Sequence, residues 1–158
     1  MKPERRLAAL ALALLTAGLL FGACTRGVLL HRYLPVGPDG WARTDTLRFA
    51  LPQVPADADY RVSIGMRYAN GFPYEGIWVV AEMRLTHPTA LLLDTLYLTT
   101  VDEDGRPLGQ GVTVDQREQP LGILHLRAGQ GGSIRLYHIM AREVLPDISD
   151  IGLRVAIP

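Results

Sequence analysis

Cys24 is the only thiol in the 158 residues, and it stands directly behind a segment suited to export. Met1 to Arg6 carries Lys2, Arg5 and Arg6 against Glu4. Leu7 to Phe21 has no charge, and Gly22 and Ala23 follow. A basic start, a short apolar run and small residues describe a signal peptide. The run is shorter than the ~20 residues of a comfortable membrane span. A cysteine at this place offers a sulfur that can carry a diacylglyceryl thioether and become the acylated first residue of a bacterial lipoprotein, with palmitate as a typical chain. Two other readings stand beside it: an uncleaved anchor, and ordinary cleavage after Ala23. Ordinary cleavage wants a small residue where Phe21 stands. A lipobox prefers an aliphatic residue there, so Phe21 is an imperfect but apolar match. The lack of a second cysteine agrees with a lipid role, because thiols that stabilise exported domains come in pairs.

Other side chains offer less. Nucleophilic catalysis by serine needs a base and an orienting acid. After the signal there are Ser63, Ser133 and Ser149, none in a G-x-S-x-G elbow. His31, His87, His125 and His138 are scattered, without metal-ligand spacing. His138 lies on an apolar face, where a hydrogen-bonded core histidine is the expected state. Asp102-Glu103-Asp104-Gly105 hints at a calcium loop but lacks the distal glutamate and flanking helices of an EF-hand, and reads as a solvated turn. Glu75, Glu82 and Asp94 could supply a carboxylate pair for glycoside hydrolysis, at a separation sequence does not give. No catalytic residue and no metal site is assigned. No cofactor is expected beyond the covalent lipid on Cys24.

Two segments stand out further along. Asn70 to Trp78 gathers Phe72, Tyr74 and Trp78 around a turn. Exposed aromatics on such a loop suit partner or sugar binding, and Phe72, Tyr74 and Trp78 are the candidate partner-binding residues. The alternative is that Phe72 and Tyr74 fold back over the core. The second segment, Leu145 to Arg154, reads as a turn feeding a last strand, with one helical turn allowed over Pro146 to Asp150.

The elements that position these residues have period two. Tyr60, Val62, Ile64, Met66 and Tyr68 face one way, and Arg61, Ser63, Gly65 and Arg67 the other. Leu47 to Leu51, Ile77 to Leu85, Ile134 to Met140 and Ile151 to Ile157 alternate likewise. Leu91 to Val101 is apolar on both faces and is expected to be a central strand. Asn70-Gly71, Asp104-Gly105 and Gly129 to Gly132 are the turns between runs. The expectation is an all-β chain: an antiparallel β-sandwich of seven to eight strands, jelly-roll or Ig-like, behind an N-terminal signal helix. Its divisions would be 1–23 signal peptide, 24–40 acylated cysteine and tether, and 41–158 sandwich domain. The tether reading rests on Gly27, Pro35, Gly37, Pro38 and Gly40.

Removing residues 1–23 leaves 135 residues with 13 arginines, no lysine and 15 acids. A net charge near −2 is no footprint for nucleic acid. A domain of this size buries roughly two-thirds of its unfolded surface and needs no disulfide.

In order along the chain stand Cys24, Gly40-Trp41, Phe72-Pro73-Tyr74, Asp94-Thr95-Leu96, Asp104-Gly105-Arg106-Pro107-Leu108-Gly109-Gln110-Gly111 and the Leu145 to Arg154 ending. Together they resemble the gliding-motility lipoprotein GldH family of Bacteroidetes over about residues 36–157. Phe21 and Ala141 depart from its pattern. The resemblance implies a non-enzymatic outer-membrane lipoprotein that supports gliding and is linked to type IX secretion. Its partners would be the membrane, through the anchor, and other gliding or secretion proteins. An Asp after the cysteine would suggest inner-membrane retention and Thr25 does not, and no acidic run marks surface export; the periplasmic face of the outer membrane is the expected place. A carbohydrate-binding lipoprotein using Phe72, Tyr74 and Trp78 is the alternative.

Overall fold

The computed structural model describes residues 27–158. The chain forms β1 (Val28–Pro35), β2 (Trp41–Ala42), β3 (Leu47–Leu51), β4 (Ala58–Ala69) and β5 (Gly76–Thr86). It continues with β6 (Ala90–Thr99), β7 (Val114–Leu126), β8 (Gly131–His138), β9 (Val144–Leu145) and β10 (Ile148–Ala156). No helix occurs among the described residues. The signal helix expected over residues 1–23 and Cys24 itself lie outside them.

Eight strands form two antiparallel four-stranded sheets, in the orders β1-β10-β4-β7 and β3-β8-β5-β6. β2 and β9 add a short ribbon at one end. The pairings nest: β5 with β6, β4 with β7, β3 with β8, β1 with β10. A long hairpin folded over itself in this way is a jelly roll, which decides between the two expected topologies.

Alternation sets the core. Tyr60, Val62, Ile64, Met66 and Tyr68 of β4 are buried, as are Ile77, Val79, Ala81, Met83 and Leu85 of β5. Phe49, Ile134, Leu136, Ile151, Leu153 and Val155 complete the layer between the sheets. Side chains of opposite faces interdigitate there, and this non-directional burial is the main stabilising term.

Three expectations are corrected. Residues 28–35 are not tether: β1 pairs with β10 from Val28↔Ala156 to Pro35↔Asp150. The sandwich therefore begins at least thirteen residues before Trp41. Leu91 to Thr99 is not central: β6 is the outer strand of its sheet. Pro146 to Asp150 makes no helical turn. Pro146-Asp147 joins β9 to β10 as a tight turn, with Asp147 at φ 65. Proline's fixed φ and a following residue at positive φ suit a type II turn. β7 (Val114–Leu126) has no alternation that marks it as a strand in the sequence. Its Pro120 and Gly122 fit because β7 is an edge strand, and the register skips Leu121 opposite Val62/Ser63.

One close approach ties β1 down. Tyr33 lies across Gly152 of β10 and Gly65 of β4; a Cβ at either glycine would collide with its ring. The Arg67 guanidinium carbon sits 4.1 Å from the ring centroid. Burial, then the Glu118 carboxylate, pushes the Tyr33 phenol above its ordinary value.

Candidate functional site

The connection from β4 to β5 passes from one sheet to the other over residues 70–75. Gly71, at φ 84, allows the turn. The Phe72 amide donates to the Ala69 carbonyl at 3.2 Å, and Asn70 Nδ2 donates to the Val112 carbonyl at 2.6 Å. Thr100 Oγ1 donates to the Tyr74 carbonyl at 2.5 Å. The loop is thereby held against the β6–β7 connection. Phe72 and Tyr74 are half-buried and pack on the core. Ring centroids step from Tyr68 to Phe72 at 5.2 Å and from Phe72 to Tyr74 at 5.3 Å. These two aromatics close the end of the sandwich.

Trp78 is placed apart from them. It points outward from β5, opposite to Ile77 and Val79, and is 46% exposed. Its β6 partner is Tyr97, with ring centroids 4.9 Å apart at 48°. The Ile139 amide donates to the Trp78 carbonyl at 3.0 Å, and the Trp78 amide donates to Met140 Sδ at 3.4 Å. Trp78, Tyr97 and the exposed Ile139 form an apolar surface at one end of the outer face of this sheet. Tyr97 and Ile139 were not singled out in the sequence. The strand register brings them to Trp78, which the alternation of β5 sets on the face opposite Ile77 and Val79.

Further along the same face, Glu82 is held by Arg84 Nε at 2.6 Å and Arg135 Nη1 at 3.3 Å. The hydrogen bond from Arg84, helped by both guanidinium charges, lowers the Glu82 pKa. Glu82 pairs with Leu93 and Ala81 with Asp94, so the two acids face opposite sides of the strands. Glu75 sits in the 70–75 loop. The three acids considered for glycoside hydrolysis are not brought together.

The remaining polar candidates are occupied locally. His138 is fully buried, and its Nε2–H donates to the Trp41 carbonyl at 3.1 Å. Its ring meets Trp41 edge-on at 5.2 Å. Burial lowers its pKa, and the Trp41 carbonyl only partly offsets this. It is the core histidine expected. His125 Nδ1 lies 2.8 Å from Asp59 Oδ1, exposed on β4 and β7. Ser149 Oγ donates to Asp150 Oδ2 at 2.7 Å. Asp102 Oδ1 accepts from the amides of Asp104 and Arg106 at 2.9 and 2.8 Å, which makes the acidic stretch a self-satisfied turn. Among the described residues no three His, Cys, Asp or Glu side chains are placed to hold a metal ion.

An open cleft of about 440 Å³ lies between Pro38-Asp39 and Pro146-Asp147. Here two distant sequence features meet: Trp41 pairs with Leu145.

A family model described as GldH lipoprotein matches residues 28–155. No curated protein matches the chain. Among solved structures, a family 35 carbohydrate binding module from Clostridium thermocellum is similar at 20% identity and a TM-score of 0.40, over 75% of this chain and 76% of that one. A native structure of such a module from the same organism gives 12% and 0.37, over 82% and 92%. Eiger TNF from S. frugiperda gives 13% and 0.28, over 84% and 94%. All three likenesses are loose.

Proposed function

Since the chain belongs to the GldH lipoprotein family, we propose that it is a non-enzymatic component of the gliding machinery linked to type IX secretion. The observation that carries this reading is the family match, which spans all ten strands but the last residue of β10. In this reading acylated Cys24 holds the chain at the periplasmic face of the outer membrane. The Trp78, Tyr97 and Ile139 surface then docks another protein of the machinery: large rings, half-desolvated by a sheet, are what interface hot spots are made of. Phe72 and Tyr74 support the fold beside it rather than reaching the partner. Deleting the gene tests the role. Loss of spreading or of secreted cargo is expected, and unchanged spreading together with unchanged secretion refutes it. Cys24→Ser tests the anchor: the variant should lose lipid labelling and leave the membrane fraction.

A second reading is favoured by one observation. The exposed Trp78–Tyr97 pair offers ring faces on which a sugar could stack. A glycan array with the folded protein decides it, and silence disposes of it.

A further inference from the structure

The strand β1 leaves little chain between the anchor and the sandwich. From Cys24 to Val28 is four residues, which span at most ~14 Å when extended. β4 alone, with twelve residues, is roughly 40 Å long. An acyl chain on Cys24 therefore holds one particular end of the domain at the bilayer. That end carries Val28, the terminus near Ile157, and the loops 52–57, 87–89 and 127–130.

The two ends differ in charge. The loops at the anchored end hold one acid, Asp57, and one arginine, Arg127. The loops at the far end (36–46, 70–75, 100–113 and 139–147) hold eight carboxylates and three arginines. An anionic headgroup layer repels the far end and tolerates the near one.

Among the described residues, the near end also exposes large apolar side chains. Leu91 is 59% exposed, Leu93 63% and Ile123 57%. Ile123 shares a row across its sheet with Val28, through Arg61 and Ala156. Between β6 and β7 a crevice of about 230 Å³ opens, lined by Leu92, Leu121 and Ile123 with Asp94 at its rim. Leu93 and Ile123, from the two sheets, both line this crevice, and exposed leucine and isoleucine brought together in this way mark a contact surface.

We propose that the domain rests on the bilayer that holds its anchor, with the leucines of β6 and Ile123 of β7 in the headgroup layer and the acidic end directed away. This rests on Cys24 being acylated; the short reach, the charge asymmetry and the apolar edge then select the lipid surface as the occupant.

The test uses the full acylated protein, purified from membranes and reconstituted into vesicles of phosphatidylethanolamine and phosphatidylglycerol. A matched set has brominated acyl chains. Leu93→Cys, Ile123→Cys and Asp104→Cys each carry one environment-sensitive fluorophore, since Cys24 is blocked by its lipid. Leu93 and Ile123 are both exposed and lie on different strands, so either reports if the other perturbs the fold. The expected result is flotation with the vesicles, at least twofold quenching by brominated lipid at positions 93 and 123, and none at 104. Flotation with no quenching at 93 and 123 overturns the seat and leaves the anchor standing. Burial of those labels without quenching by brominated lipid means a second copy covers the edge, and also overturns it. Failure to float refutes the anchor, and the seat falls with it.

Discussion

The contact of Tyr33 with two glycines makes a prediction whose sign depends on background. In Gly152→Ala the new Cβ would stand 2.6 Å from Tyr33 Cε1 and Cζ. Carbon atoms prefer about 3.5–4.0 Å. The ring cannot slide away, because Arg32↔Leu153 and Leu34↔Ile151 fix β1 on both sides. It must swing out. A half-buried tyrosine covers roughly 100 Å², worth about 2.5 kcal/mol at 25 cal/mol per Å². The Arg67 contact adds about 0.5–1 kcal/mol. Against this, alanine in a strand gains about 0.5–1 kcal/mol over glycine. The net expectation is a loss of about 2–3 kcal/mol. In a Tyr33→Ala background the collision is gone, and the same substitution should stabilise by up to about 1 kcal/mol. The double-mutant cycle thus has a coupling near 3 kcal/mol. Guanidinium unfolding followed by the fluorescence of Trp41, buried in the core, measures each corner. Equal effects of Gly152→Ala in both backgrounds would refute the reasoning.

Tyr33 Oη is buried without a hydrogen-bond partner, so Tyr33→Phe should leave stability unchanged or raise it by about 1 kcal/mol, read from the same unfolding curves. His138 has a lowered pKa in the fold and an unfolded value near 6.5. Its contribution is therefore complete above pH 6.5. It is lost as pH falls below that value and through the folded pKa, at up to about 1.4 kcal/mol per unit. His138→Gln should cost about 1 kcal/mol at pH 7.5 and flatten the decline between pH 7.5 and 5.5; urea midpoints at both values check this, and an unaltered slope contradicts it. Trp78→Ala should lower stability by only about 1 kcal/mol while weakening partner capture by 2 kcal/mol or more, about 30-fold. Co-purification from the membrane fraction that is undiminished by the substitution would remove this surface from consideration.

Legibility in the sequence followed burial on one face. β4, β5, β8 and β10 each set a buried row against a less buried one, and their alternation marks the strand and its two faces, with Trp78 opposite Ile77 and Val79. β1 and β7 lie at sheet edges, where only part of one face is covered. VLLHRYLP has Leu29, Leu30 and Leu34 half-buried without clean alternation. VDQREQPLGILHL carries charges, a proline and a skipped residue that an edge tolerates and a central strand does not. β6 misled in the opposite direction. Its leucines look like the double burial of a central strand, yet three of them are exposed. Their apolarity answers to something beyond the domain's own core. The aromatic loop divided because Phe72 and Tyr74 precede β5, where no period constrains them, whereas Trp78 is inside it.

The pairing of β1 with β10 fixes how the molecule bears force. With Cys24 acylated as proposed, the anchor's pull enters at Val28, and β1 runs away from it toward the acidic end. A pull between the membrane and anything gripping that end is directed along β1. Seven residue pairs, from Val28↔Ala156 to Pro35↔Asp150, are then loaded side by side rather than peeled one after another. The Tyr33 ring, lying over two neighbouring strands, must be dragged across Gly152 before β1 can slip. The strand that receives the anchor's pull is thus loaded in shear, the direction in which a sheet gives way least readily.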